Sequence, residues 1–261
     1  MIVDRVARSN RSFFPLTGAL RRRRPTPPGG MPARLAILAA LLVPAAAARP
    51  QGPAAPAGAD INRDFLAPDL DPEAWRQRFE VESREVFACR EAIVAALGLA
   101  PGDRVADVGS GTGLFLAPFA EKVGADGRVY AVDISPRLVE FLERRVGDEG
   151  LANVAVVLSD TGSTRLAPGS VEHAFVCDTY HHFVEYEAML ASIHEALRPG
   201  GQLVVVDFDR IPGTSRQWLL DHVRAGKETV RGEIEAAGFE FVEEVDVEGF
   251  AENYLLRFRK H

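Results

Sequence analysis

Along the second two-thirds of this chain, apolar residues recur in short runs of about five, each closed by an acid or a turn. Runs near 104–108, 128–132, 154–158, 172–177 and 202–207 predict buried strands, because they are valine-rich and too short for helices. Segments near 113–123, 136–148, 186–196 and 215–237 carry helical spacing, and a further helix is predicted over 71–97, ahead of the first strand. Such alternation predicts a layered α/β domain with a mostly parallel sheet. Asp107, Asp133, Asp160, Asp178 and Asp207 all close strand-like runs. Open α/β sheets bind their ligands at the carboxyl ends of strands, so these acids mark the edge where chemistry is expected.

The first of these edges carries the strongest signal. The strand ending Val105-Ala-Asp107-Val runs into Gly109-Ser110-Gly111-Thr112-Gly113, whose alternating glycines let the backbone turn sharply and approach a ligand closely. Asp133 follows 20 residues after Gly113, at the end of the next strand, at a reach suited to ribose hydroxyls. The dinucleotide fingerprint would require glycine at the sixth position counted from Gly109, and Leu114 stands there. The pattern Asp107-x-Gly109-x-Gly111-x-Gly113 instead resembles the first motif of the class I S-adenosylmethionine (SAM) methyltransferases, whose glycine loop wraps a methionine moiety.

The resemblance continues in order over roughly residues 85–261. Leu158-Ser-Asp160-Thr161 falls where that family places an acid or amide beside adenine. The strand Val171 to Asp178 runs into Thr179-Tyr-His-His-Phe183, similar to the small-molecule branch that includes quinone-biosynthesis enzymes. Leu197-Arg-Pro-Gly-Gly201 leads into the family's fifth strand. Ala236-Ala-Gly-Phe239 precedes two strand-like segments, 240–247 and 254–259, which look like its C-terminal antiparallel hairpin.

The resemblance therefore implies a Rossmann-like, seven-stranded, mostly parallel sheet with a C-terminal antiparallel hairpin and helices on both faces. It implies SAM as cofactor, held by Asp107, Gly109, Ser110, Gly111, Gly113, Asp133, Ile134, Asp160, Thr161 and Asp178. Asp160 with Thr161 also makes an ordinary turn, and Asp178 and Asp207 serve equally well as turn residues.

His181 and His182 are the candidate catalytic pair, since histidine titrates near neutral pH and a protic acceptor needs a base. In the resembling family such a pair is often structural. Tyr180 reads either as a wall over the ligands or as a core aromatic. His222, Arg224 and Lys227 share a predicted helix and could present a polar face to an acceptor, as could a merely solvated face. On the first helix Trp75, Phe79, Glu82, Ser83 and Arg84 fit a lid, or an ordinary covering helix.

Charge narrows the partners. The first 49 residues hold nine arginines and one acid, and taking them from the chain's 30 basic and 37 acidic residues moves the balance from −7 to about −15. A surface of that sign disfavours nucleic acid and points to a small-molecule substrate. Within the same region, Met31-Pro-Ala-Arg34, an apolar stretch to Val43 and Pro44-Ala-Ala-Ala-Ala48 follow the layout of a secretory signal, with cleavage expected near 47–49 and Met31 as an alternative start. Export to a periplasmic or extracellular space is the expectation, and no stable membrane span is expected in the mature chain. An uncleaved anchor and an organelle transit sequence are the alternatives. The domain expectation is 1–49 for the extension, 50–70 for a Pro/Ala/Gly-rich linker and 71–261 for the methyltransferase-like domain.

Cys89 and Cys177 are the only cysteines, one on a helix and one ending a strand, so a structural disulfide is not expected. No cysteine/histidine spacing suggests zinc. Two rival functions remain open at this stage: an NAD(P)-dependent oxidoreductase of Rossmann type, and a SAM-binding protein without turnover.

Overall fold

A computed structural model describes residues 61–261; the signal-like segment, its cleavage site and Met31 lie outside the described residues. Seven strands form one sheet: β1 (Arg104–Val108), β2 (Arg128–Asp133), β3 (Val154–Leu158), β4 (Val171–Cys177), β5 (Leu197–Phe208), β6 (Phe239–Glu244) and β7 (Asn253–Lys260). Their order is β3-β2-β1-β4-β5-β7-β6, with β1 to β5 parallel and β7 antiparallel to both its neighbours. The expected sheet and hairpin are thus both present. Chain order reverses between β1 and β4, the place where an open sheet leaves a crevice at its carboxyl edge.

The central strands read as unbroken apolar runs because both faces are covered. Along β5, Leu203 and Val205 enter one core while Val204 and Val206 enter the other. The first core is closed by α6 (Tyr186–Ala196) and α8 (Lys227–Ala236), the second chiefly by α3 (Arg90–Leu97) and α4 (Leu116–Val123), with Leu142 of α5 (Pro136–Asp148).

Three expectations about elements are corrected. The helix expected over 71–97 is three pieces: α1 (Pro72–Phe79), α2 (Glu85–Ala88) and α3. Asp71 starts α1 by accepting from the Glu73 and Ala74 amides, with Pro72 in the first turn. The break at 80–84 turns two side chains inward: Glu80 meets Arg145 and Thr112, and Arg84 meets Asp178. Helical continuity yields there to buried polar contacts.

The helix expected over 215–237 is likewise divided, into α7 (Gln217–His222) and α8. At the junction Gly226 lies against the Arg210 carbonyl so closely that a Cβ would stand 2.8 Å from its oxygen. The expected linker also ends early. Residues 61–70 form turns in which Asn62 and Leu70 are buried, and Asn62 bonds to His182.

Candidate cofactor site and its histidine end

At the reversal of strand order, a cleft of about 590 Å³ is lined from the glycine loop, the ends of β1, β2 and β4, α1 and α7. That volume lies within the range of small-molecule sites. The loop after β1 is pinned to β2: the Gly109 and Ser110 amides donate to the Val132 carbonyl at 2.8 and 3.0 Å. Gly109 has φ +80°, and a Cβ there would run into the Thr179 side chain, so only glycine lets the loop lie against the end of β4. Gly113, with φ +85°, is a packing glycine: a Cβ would crowd Leu142 and Leu116, and the residue does not line the cleft.

Asp133 is 5% exposed and its two oxygens accept from the Gly111 and Ser135 amides, each at 2.8 Å. Each oxygen keeps a further lone-pair site for a ligand hydroxyl. Burial lifts its pKa to about 6, with the backbone amides opposing the rise. Asp107, 3% exposed, accepts from the Ser110 hydroxyl at 2.8 Å; burial lifts its pKa to about 7, the Ser110 bond resists, and the neighbouring Asp133 charge adds to the rise. Two buried acids with an excess of negative charge between them suit a cationic ligand better than a pyrophosphate.

Of the residues expected to hold the cofactor, Asp107, Gly109, Ser110, Gly111, Asp133, Ile134 and Asp178 line this cleft, whereas Gly113, Asp160 and Thr161 do not. Asp160 pairs with Arg165, and the Thr161 hydroxyl donates to Glu185. Asp178 sits at φ +46°, bonded to Arg84 at 2.5 Å and to Asn253 at 2.8 Å. Burial pushes its carboxyl above the ordinary range, with Arg84 opposing. It therefore ties the segment before α2 to the hairpin strand β7 beneath the cleft. Trp75, Phe79 and Arg84 do line the cleft, joined by Phe65, whose ring lies 4.6 Å from Trp75 and 5.2 Å from His182. Glu82 and Ser83 do not.

The far end of the cleft is imidazole-rich. His181 and His182 lie in a 3-10 turn (Tyr180–His182) directly after β4, and His222 ends α7; ring centroids are 4.3 Å apart for the pair and 5.1 and 5.3 Å from each to His222. Buried Asp207 accepts from the His181 amide at 3.0 Å and stands 2.7 Å from its Nδ1. Burial works against charging His181, but Asp207 outweighs it and the pKa stays above the ordinary value. Asn62 donates through Nδ2 to the His182 carbonyl, which orients its amide so that Oδ1 faces His182 Nδ1 at 3.0 Å. Burial and the two neighbouring imidazoles push the His182 pKa far down.

Other expectations resolve as structural. Tyr180 is fully buried and bonds Glu233 at 2.9 Å, so it is a core aromatic. Arg224 pairs with the same Glu233, and Lys227 with Glu244, both away from the cleft; the helix break sends them one way and His222 the other. Both cysteines are free; burial pushes the Cys177 thiol up, which keeps it protonated. The sequence reading missed Asn62, Phe65, Phe208 and Trp218. It also read the histidines for zinc by spacing alone, whereas the fold joins three of them across 40 residues of chain.

Residues 105–201 match the family model described as a methyltransferase domain. Among curated relatives, the ubiquinone/menaquinone biosynthesis C-methyltransferase UbiE of Teredinibacter turnerae is 30% identical over 43% of this chain and 46% of its own. The nocamycin O-methyltransferase of Saccharothrix syringae is 31% identical over 48% of this chain and 45% of its own. The chain spans less than half the length of these relatives. A solved SAM-dependent methyltransferase from Aquifex aeolicus superimposes with a TM-score of 0.65 at 25% identity, covering 73% of this chain and 99% of that one.

Sheet order, glycine loop and these matches agree: the described residues have the fold of the class I SAM-dependent methyltransferases, and residues 105–201 carry the match to their methyltransferase domain. The antiparallel β7 between β5 and β6 separates it from the dinucleotide-binding sheet.

Proposed function

We propose that the protein transfers a methyl group from SAM to a small-molecule acceptor in the cleft between the glycine loop and the histidine end. The observation that carries this reading is the pair of buried acids, Asp107 and Asp133, facing one cleft with an aromatic and imidazole wall. Asp133 would accept the ribose hydroxyls, Asp107 with Ser110 would shape the pocket of the methionine moiety, and the Gly109 and Gly111 backbone would pass beneath it. When bound, SAM supplies an electrophilic methyl on a sulfonium, and its departure leaves a neutral thioether.

The protein's main task is then alignment and exclusion of water. Phe65, Trp75 and Phe79 roof the cleft, and the imidazoles offer the acceptor its polar contacts. No helix among the described residues is long and apolar enough to cross a membrane, and the acidic balance of the chain agrees with a small soluble acceptor over nucleic acid. The Met31 to Ala48 pattern supports export, which fractionation of expressing cells would test by locating the processed chain. Incubation with methyl-labelled SAM and a panel of phenols, thiols, amines and carbon acids tests the activity. Label transfer to one class that disappears in Asp133→Ala is the expected result; no transfer to any class, with SAM bound, would leave a binding protein without turnover.

A further inference from the structure

The histidine end of the cleft contains more ordered polarity than a hydrogen-bonding wall requires. Three imidazoles converge from two separate elements, with one ligand atom from each lying within 4.8 Å of the others. Three nitrogens on a tetrahedral zinc ion stand about 3.4 Å apart, so the three atoms need draw together by no more than about 1.4 Å to reach coordination distance.

The outer ring nitrogens are committed. His181 Nδ1 is held by Asp207 and His182 Nδ1 by Asn62, which leaves Nε2 of both as the free atoms. Ligating histidines have this arrangement: the far nitrogen donates to a carboxylate or carbonyl oxygen, fixing tautomer and ring direction. Trp218 stacks on His222 with centroids 4.8 Å apart, and Phe208 lies beside His181, giving the cluster an apolar surround.

We propose that His181, His182 and His222 bind a divalent transition-metal ion of the zinc type, with its open position turned toward the methyl-donor pocket. Neutral imidazoles select such an ion over magnesium or calcium, which take oxygen ligands. Three protein ligands with one vacancy is the arrangement of a reactive zinc site, and all three histidines line the cleft that Asp133 and Gly111 also line.

The second half of the inference rests on the methyl-transfer reading. A thiol, phenol or enol would dock on the ion as its anion and release its proton to solvent. Its oxygen or sulfur would form the new bond to the methyl carbon as the carbon–sulfonium bond breaks, and the thioether would leave neutral. Ion binding lowers the acceptor's pKa, so no side chain has to serve as base.

The test is titration of the untagged full chain with Co2+ alone, followed by Zn2+ competition, reading the visible d–d band. One equivalent of Co2+ with a tetrahedral band is expected, and X-ray absorption of the wild-type zinc form should count three imidazoles. His182→Ala and His222→Ala should abolish the band while keeping the wild-type circular dichroism. Asn62→Ala, a positioning change, should weaken Co2+ roughly 10- to 100-fold. A wild-type chain that takes up neither ion, or a band that persists in the His182/His222 double variant, would overturn the site. A parallel SAM titration separates the two readings: a chain that binds SAM but takes up neither Co2+ nor Zn2+ overturns the metal site alone, and one that takes up the ion but binds no SAM overturns acceptor docking alone.

Discussion

Asp133 and Asp107 decide how the pocket responds to pH. Their carboxyls sit at about 6 and about 7, above the values of an unfolded chain, so between pH 4 and 7 the folded state binds more protons than the unfolded one. Their contribution to stability is complete below pH 4 and is lost as pH rises through 6 to 7. A cationic ligand favours the ionised forms. SAM affinity should therefore rise from pH 5.5 to pH 8, with protons released on binding; calorimetry in buffers of different ionisation enthalpy reads this, and Asp133→Asn should flatten the rise. Asp133→Ala should weaken SAM by about 1–3 kcal/mol through loss of charge-assisted hydrogen bonds. Unchanged affinity in that variant would reject its ribose role.

Elements explain why some of this site was legible and some not. The glycine loop and its two acids are local: strand, turn and acid lie within one stretch of chain, so spacing alone announces them. Gly109→Ala should cost about 1–3 kcal/mol of stability, because φ +80° and the Thr179 contact both oppose a Cβ. Thermal unfolding measures it.

The lid was half legible. Trp75 and Phe79 stood out as aromatics on a helix, but the break at 80–84 depends on Arg84 finding Asp178, a partner 94 residues away that no periodicity encodes. Arg84→Ala should leave Asp178 buried without its cation and cost about 2 kcal/mol, with faster SAM release in stopped-flow. Similarly, Asp160 and Thr161 follow their strand as the family pattern requires, yet they engage Arg165 and Glu185 instead. The split of the helix after β5 hid that His222 faces the His181–His182 pair while Arg224 and Lys227 do not.

At the scale of the molecule, the architecture was readable because strand runs and helices alternate over most of the domain and the central strands are buried on both faces. What the alternation did not reveal is which loops meet over the carboxyl edge. The segment around Asn62 and Phe65, compositionally near a linker, also lines the cleft. One consequence is optical. The chain's two tryptophans, Trp75 and Trp218, both line the cleft. Intrinsic fluorescence should therefore change on ligand binding, with Trp75→Phe leaving the signal of the acceptor end alone.

The most direct measurement is calorimetric titration of the full chain with SAM, its demethylated product and NADH in parallel. The account predicts one equivalent each of SAM and product, with SAM binding strengthening above pH 6, and no heat with NADH. Binding of NADH with silence from SAM and product would contradict it and return the glycine loop to a dinucleotide.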